Sequence, residues 1–295
     1  IWAPNNVRGR RSSKRYNSRK LLMPEKNIPN YPTSSDQFRN KNIVITAAAG
    51  SGIGYATAKR YLEEGGNVFI SDLHEERLKA CIKELQDLNL GRIDGCLCNV
   101  TSTEEVNEMI LKASDCLETI DVLVNNAGLG GQNSLEEMPD DVWNNIIDVT
   151  LNGTMRVMRA SIPYLKKTQG VIVNNASVLG WRAQKDQTHY AAAKAGVMAL
   201  TRCTAVELAE YNIRVNAVAP SLALNPHLSK TSSDELINTL INKEVLGRAA
   251  EPWEIANIIL FLSSEQSSFM TGEVLSASSQ TVSYTHLTLP TKQPV

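Results

Sequence analysis

Long apolar runs are absent from this 295-residue chain, and none approaches the roughly 18 residues that a membrane-spanning helix needs. Cysteine is scarce. Cys81, Cys96, Cys98, Cys116 and Cys203 form an odd set without metal-ligand spacing, which reads as free thiols in a reducing compartment and as no metal site. The N-terminus lacks an apolar h-region, so no secretory signal is read there. Acid is missing from residues 1–22, where Arg8, Arg10, Arg11, Lys14, Arg15, Arg19 and Lys20 stand. Residues 23–280 then carry 22 basic residues against all 31 acidic ones. A body that acidic offers nucleic-acid phosphates no basic face, and neither nucleic acid nor a membrane is expected as a partner.

The remaining composition, 42% hydrophobic and 21% charged with a mean hydropathy of -0.21, is that of a soluble globular chain large enough for one α/β domain. The basic opening reads either as a mitochondrial-type presequence or, preferably, as sequence upstream of a true start at Met23. The expected compartment is the cytoplasm in the second case and the mitochondrial matrix in the first. The tail 281–295 contains TVSYTHLTLPT, which resembles the in-frame translation of a sequencing-library adapter and is expected to be non-native. An extension over 1–37 and a single domain over 38–280 are left.

In that body, short β-branched runs alternate with helical stretches. Strands are expected at 42–46, 67–71, 92–98, 121–125, 170–176, 213–219 and 273–277, and helices near 53–64, 75–88, 102–118, 139–167, 187–211 and 252–262. Runs such as NIVIT and VFIS are continuously apolar, as strands are when helices cover both faces of a parallel sheet. The expected fold is α/β, a single doubly wound parallel sheet of the Rossmann kind. The polar stretch 221–250 is the one long interruption, and it is read as the loop that covers the substrate.

The first strand runs straight into TAAAGSGIGYATAKRYLEEG, a Gly-rich turn that opens a helix. Glycines there let backbone approach a pyrophosphate, and the free N–H groups of the helix start favour its charge. Asp72 ends the second strand, where an acid meets a ribose 2′-hydroxyl and repels a 2′-phosphate, so NAD is expected over NADP. Arg77 nearby leaves room for NADP, and a plain helix-capping role for Asp72 is the bland alternative. Further on, Ser177 closes the fifth strand, and Tyr190 and Lys194 stand four apart in YAAAK, on one helix face. A phenol near pKa 10 must drop about 3 units, or roughly 4 kcal/mol, to work at neutral pH. The adjacent ammonium is the expected source.

TAAAGSGIG, NNAG at 125–128, Ser177, YAAAK and RVNAVAPS together resemble the short-chain dehydrogenase/reductase family over about residues 38–278. The resemblance implies NAD(P)-dependent interconversion of a secondary alcohol and a ketone, with Ser177, Tyr190 and Lys194 as catalytic residues. It places cofactor contacts at Thr46, Gly50, Ser51, Gly52, Ile53, Gly54, Asp72, Asn99, Val100, Asn126, Ala127, Gly128, Tyr190, Lys194 and Pro220. It also implies a homodimer or homotetramer built on the helices at 139–167 and 187–211. The sequence departs from the family pattern at four places. Ala47 replaces the Gly after the strand Thr, and the last two glycines come one residue late. Asn99 replaces an Asp that meets the adenine. Thr150 stands where an Asn helps hold a proton-relay water, a role for which a threonine hydroxyl is a weak substitute. Pro220-Ser221 replaces a Pro-Gly pair.

Finer strings, among them AAEPWE and the GEVLSASSQ ending, are similar to reductases of bacterial steroid-ring breakdown and to 3-oxoacyl reductases. That likeness implies a bicyclic keto or hydroxy acid as substrate, or its CoA thioester, with Arg182, Lys185, Arg214 and Lys230 as a basic rim. A cofactor-binding sensor or scaffold with little catalysis is the alternative reading. A nucleotide-sugar epimerase is disfavoured because no separate substrate domain is present.

Overall fold

Alternate residues of the central strands point to opposite sides of one sheet, which is why their sequences are apolar throughout. The computed structural model describes residues 28–223 and 234–280. The chain divides into two units, Ile1–Asn30 and Tyr31–Val295, and the second holds the sheet. Its strands are β1 (Asn42–Ile45), β2 (Asn67–Asp72), β3 (Ile93–Leu97), β4 (Val122–Asn125), β5 (Val171–Asn175), β6 (Arg214–Pro220) and β7 (Val274–Ala277). They form one sheet in the order β3-β2-β1-β4-β5-β6-β7, and every pairing is parallel.

The helices are α1 (Ile53–Glu63), α2 (Glu75–Asp87), α3 (Thr103–Leu117), α4 (Asp140–Ile147), α5 (Gly153–Thr168), α6 (Thr188–Leu208), α7 (Asp234–Ile241) and α8 (Pro252–Ser263). Ile43, Ile45, Val68, Ile70, Val122 and Val124 pack with α1, α2 and α8 on one face. Val44, Phe69, Leu123 and Ile172 pack with α3, α5 and α6 on the other. The strand order reverses between β1 and β4, and in such sheets the ligand crevice opens outside the carboxyl ends at that point.

Three features differ from the sequence expectations. The single helix expected over 139–167 is broken by a π-helical turn at Asp148–Asn152, between α4 and α5. The stretch 221–250, expected as loop, contains α7. The helix expected to reach 211 ends at Leu208 and finishes in a 3-10 turn. The expectations for 1–22, for Lys230 and for the tail 281–295 fall outside the described residues, as does 224–233 of the expected substrate loop. No helix among the described residues is long and apolar enough to cross a membrane.

Candidate active site

The turn from β1 to α1 is shaped by its departures as much as by its glycines. Ala47 takes φ +50°, in the left-handed region where glycine is favoured, and Gly50 takes φ +130° with open space around its Cα. A left-handed Ala costs roughly 1–2 kcal/mol, partly offset by the extra unfolded-chain freedom a Gly would bring. Ala47→Gly should therefore stabilise the fold by up to about 1 kcal/mol, a small upward step in the melting temperature. A lower melting temperature would show that this backbone is unstrained.

Helix α1 starts at Gly52 without a side-chain cap and without acid in its first turn, which leaves its N–H groups and dipole for an anion. A Cβ on Gly54 would lie 2.5 Å from Asn126 Nδ2 and 2.7 Å from the Ala47 carbonyl oxygen. Backbone and amide thus meet where only hydrogen fits. A bare, uncapped cradle of this kind fits a dinucleotide phosphate. Thr46, by contrast, is fully buried, and its hydroxyl accepts from the N–H groups of Asn126 and Ala127, both at 3.0 Å. It ties β1 to the segment after β4.

Asp72 sits at the carboxyl end of β2. One carboxylate oxygen accepts from Ala49 N in the turn at 3.2 Å, and the other from His74 N and Arg77 Nη2, both at 3.0 Å. The N-cap of α2 is His74, so Asp72 is not the cap. Just past the carboxyl end of β3, Asn99 spends its side-chain oxygen on Thr101 N and Oγ1, while Val100 packs against Gly153.

Ser177, Tyr190 and Lys194 meet at the carboxyl end of β5. Ser177 is buried, and its Oγ accepts from Leu179 N at 3.2 Å, leaving its O–H to donate. The Tyr190 ring lies beside Gly130, and Lys194 Nζ stands 5.6 Å from the ring centroid. Burial pushes the Tyr190 phenol above its ordinary value, with the Ser177 hydroxyl opposing. The net direction is upward, so Lys194 does not bring the phenol below its ordinary value. The reason is geometric: the amine donates to the Asn175 carbonyl at 2.5 Å, and its own desolvation lowers it to about 8. Thr150 is fully buried in the π turn. Its hydroxyl accepts from Leu129 N at 3.0 Å and donates to Leu129 O at 3.3 Å, so it closes the loop after β4 with its one proton committed.

A family model described as enoyl-(acyl carrier protein) reductase matches residues 47–279. A crystal structure of a short chain dehydrogenase from Mycobacterium smegmatis superposes with a TM-score of 0.78 at 49% identity, covering 87% of this chain and 99% of that one. The chain belongs to the short-chain dehydrogenase/reductase family. It is an oxidoreductase acting on CH–OH groups. The (5R,7aS)-5-hydroxy-7a-methyl-1-oxo-2,3,5,6,7,7a-hexahydro-1H-indene-carboxyl-CoA reductase of Mycobacterium tuberculosis is 55% identical over 242 residues, 81% of this chain and 92% of that protein. The 3-oxoacyl-(acyl-carrier-protein) reductase FabG of Thermotoga maritima is 40% identical over 240 residues, 81% and 96% of the two chains.

In this dehydrogenase/reductase the expected basic rim is only partly assembled. Arg214 opens β6 at the amino end, next to a cavity of about 370 Å³ on the opposite end of the sheet from Ser177. Its guanidinium holds the carbonyls of Leu262, Ser264 and Met270 and the hydroxyl of Ser267. Arg214 therefore fastens the end of α8 and is not a rim residue. Arg182 follows the Ser177 turn and pairs with Gln280, which in turn bonds Glu244 at 2.8 Å. Lys185 is exposed. Pro220 ends β6, with the following Ser221 N donating to Ala277 O at 3.1 Å. Two residues that sequence reasoning passed over or left unexplained, Asn175 and Asn126, connect the turn to Lys194. The repeated NN at the ends of β4 and β5 was the available signal.

Proposed function

We propose that this enzyme reduces a ketone on a bicyclic or 3-oxoacyl CoA thioester, and that NAD is its preferred cofactor. The observation that carries the reading is the convergence of Ser177, Tyr190 and Lys194 at the end of β5, beside a phosphate cradle made of bare backbone. A nicotinamide dinucleotide bound there supplies the hydride. Tyr190, kept protonated by burial, gives its proton to the substrate oxygen as negative charge develops on it. Ser177, already accepting from Leu179 N, aims its O–H at the same oxygen. Lys194 places a positive charge beside the phenol and makes its loss of a proton less costly, while two of its N–H groups stay available for a ligand's hydroxyls. Thr150 has its one proton committed to Leu129 O, so that hydroxyl is not the donor that returns a proton to Tyr190.

The thioester part of the reading draws on the relatives' substrates and on Arg182 and Lys185 at the rim. It is tested by following NADH oxidation against a panel of bicyclic ketones and 3-oxoacyl compounds, each as the free acid and as the CoA thioester. A preference of at least tenfold in kcat/KM for thioesters is expected, and equal rates with free acids would remove CoA from the reading. The scaffold alternative requires that no member of the panel be turned over.

Asp72 carries the cofactor preference. Its carboxylate faces the turn and also binds Arg77, the nearby exposed cation suited to a 2′-phosphate. Asp72→Asn removes the charge, keeps an acceptor and releases Arg77. The ratio of kcat/KM for NADH over NADPH should then fall by about tenfold or more, the equivalent of about 1.4 kcal/mol. An unchanged ratio would take the ribose role away from Asp72. The same reading includes a homodimer or homotetramer formed through α5 and α6, where Val206 is 79% exposed. Sedimentation of the full chain tests it, and a monomer would oppose it.

A further inference from the structure

One residue is bonded to both halves of the cleft. Asn175, the last residue of β5, offers its backbone carbonyl to Lys194 Nζ at 2.5 Å. Its side-chain Nδ2 donates to Asn126 Oδ1 at 3.0 Å, and Asn126 Nδ2 donates to the carbonyls of Ala47 at 2.9 Å and Thr46 at 3.2 Å. That same Asn126 Nδ2 fills the space beneath Gly54 at the start of α1. Two amides therefore run from the phosphate turn to the carbonyl that orients the amine.

The arrangement has a cost that stability does not explain. Among the described residues Asn175 Oδ1 is buried with no partner, and a buried unpaired acceptor is unfavourable. Position 175 sits in parallel register with Val218 of β6, where an apolar β-branched residue would satisfy the strand and remove that orphaned acceptor. An uncompensated polar residue at a site is the kind of local violation expected where position matters more than stability.

We propose that Asn175 is a positioning residue that couples the phosphate turn to Lys194, so that the turn's closure on a dinucleotide and the placement of the amine are set together. The inference rests on the dinucleotide reading above. Asn175 need not touch the substrate. It acts through Asn126 on one side and through its own carbonyl on the other.

The test uses the full chain and NADH binding by fluorescence titration without substrate, over pH 6 to 9.5, for wild type, Asn175→Ile, Asn175→Thr, Asn126→Ala and the double variant Asn126→Ala/Asn175→Ile. Asn175→Ile should weaken NADH binding about tenfold, the loss of one hydrogen bond's worth of orientation. It should also move the Lys194 titration below its midpoint of about 8, because the amine's acceptor is no longer held in place. The double variant should bind no more weakly than the poorer single one, because both break the same connection. Asn175→Thr, which keeps a donor on a β-branched frame, should recover most of the affinity. If Asn175→Ile does not fold, the Asn126→Ala and Asn175→Thr arms read the same coupling. Unchanged affinity and midpoint in the variants, whatever their melting temperatures, would overturn the inference while leaving the dinucleotide reading standing. Failure of wild type to bind NADH would sink that reading itself, and the inference with it.

Discussion

Tyr190→Phe should lower turnover by about three orders of magnitude or more while NADH affinity stays within about twofold of wild type. The substitution deletes one hydroxyl and leaves the ring that lies against Gly130. General-acid groups contribute about 10²–10⁴ to rate, and no described neighbour can take over: Ser177 is a neutral hydroxyl held by Leu179 N, and Thr150 has its one proton committed to Leu129 O. The pH profile of wild type carries the same signature. Burial keeps the phenol protonated well past neutrality, so ketone reduction should run level from about pH 6 to 7.5. It should then decline above about 8, as Lys194 gives up the charge that eases the phenol's deprotonation. Stopped assays at saturating NADH across that range, together with binding titrations of Tyr190→Phe, test both statements. Retained turnover in Tyr190→Phe would place the proton elsewhere. Absence of turnover in wild type would favour a binding protein over an enzyme.

How far the sequence reached follows from what each signal depends on. The strands were legible because burial on both faces leaves continuous apolar runs, and β1, β2 and β4 then divide alternate residues between the two layers. The π turn at Asp148–Asn152 was not legible, because inserting one residue into a helix turns the following face without altering the apolar content that signals a helix. Helix α7 was missed for a related reason: it lies in a stretch that polar residues and Pro226 marked as loop. Arg214 shows the limit of reading charge from sequence. A cation near a motif suggests a rim, yet strand direction places this one at the amino end, where helix-terminal carbonyls claim it.

The site was legible as a set of residues but not as a set of bonds. Ser177, Tyr190 and Lys194 could be grouped by order and spacing, whereas the direction of the amine depends on which acceptor stands opposite it in three dimensions. The Asn pairs show this best. Asn125 and Asn174 are register partners on β4 and β5, and their side chains bond at 2.9 Å toward α6. The next residues, Asn126 and Asn175, bond at 3.0 Å and reach the phosphate turn. Period-two alternation makes this division inevitable once the register is known. Sequence alone does not supply the register.

Lys194→Met should raise stability at neutral pH while turnover is lost. Lys194 is buried, and desolvation brings its pKa from an ordinary 10.5 to about 8. A folded-state pKa below the unfolded one means that the unfolded chain takes up a proton first as pH falls. Stability is therefore lost through the window from about 10.5 down to 8, and the whole penalty is present below it. That gap corresponds to roughly 3 kcal/mol. Methionine is one atom shorter, fills most of the same space and carries no charge to bury, but it forfeits the bond to the Asn175 carbonyl, worth about 1–2 kcal/mol. A net gain of about 1–2 kcal/mol, or roughly 2–8 °C in melting temperature, is left at pH 7. The advantage should shrink as pH rises from about 8 and vanish above about 10.5, where neither state of wild type holds the proton, and that pH dependence separates relief of desolvation from a simple packing effect. Equal or lower stability of Lys194→Met at pH 7 would mean that the amine is well solvated in the folded protein. The ammonium beside Tyr190 would then be cheap to maintain, and no stability would have been given up for catalysis.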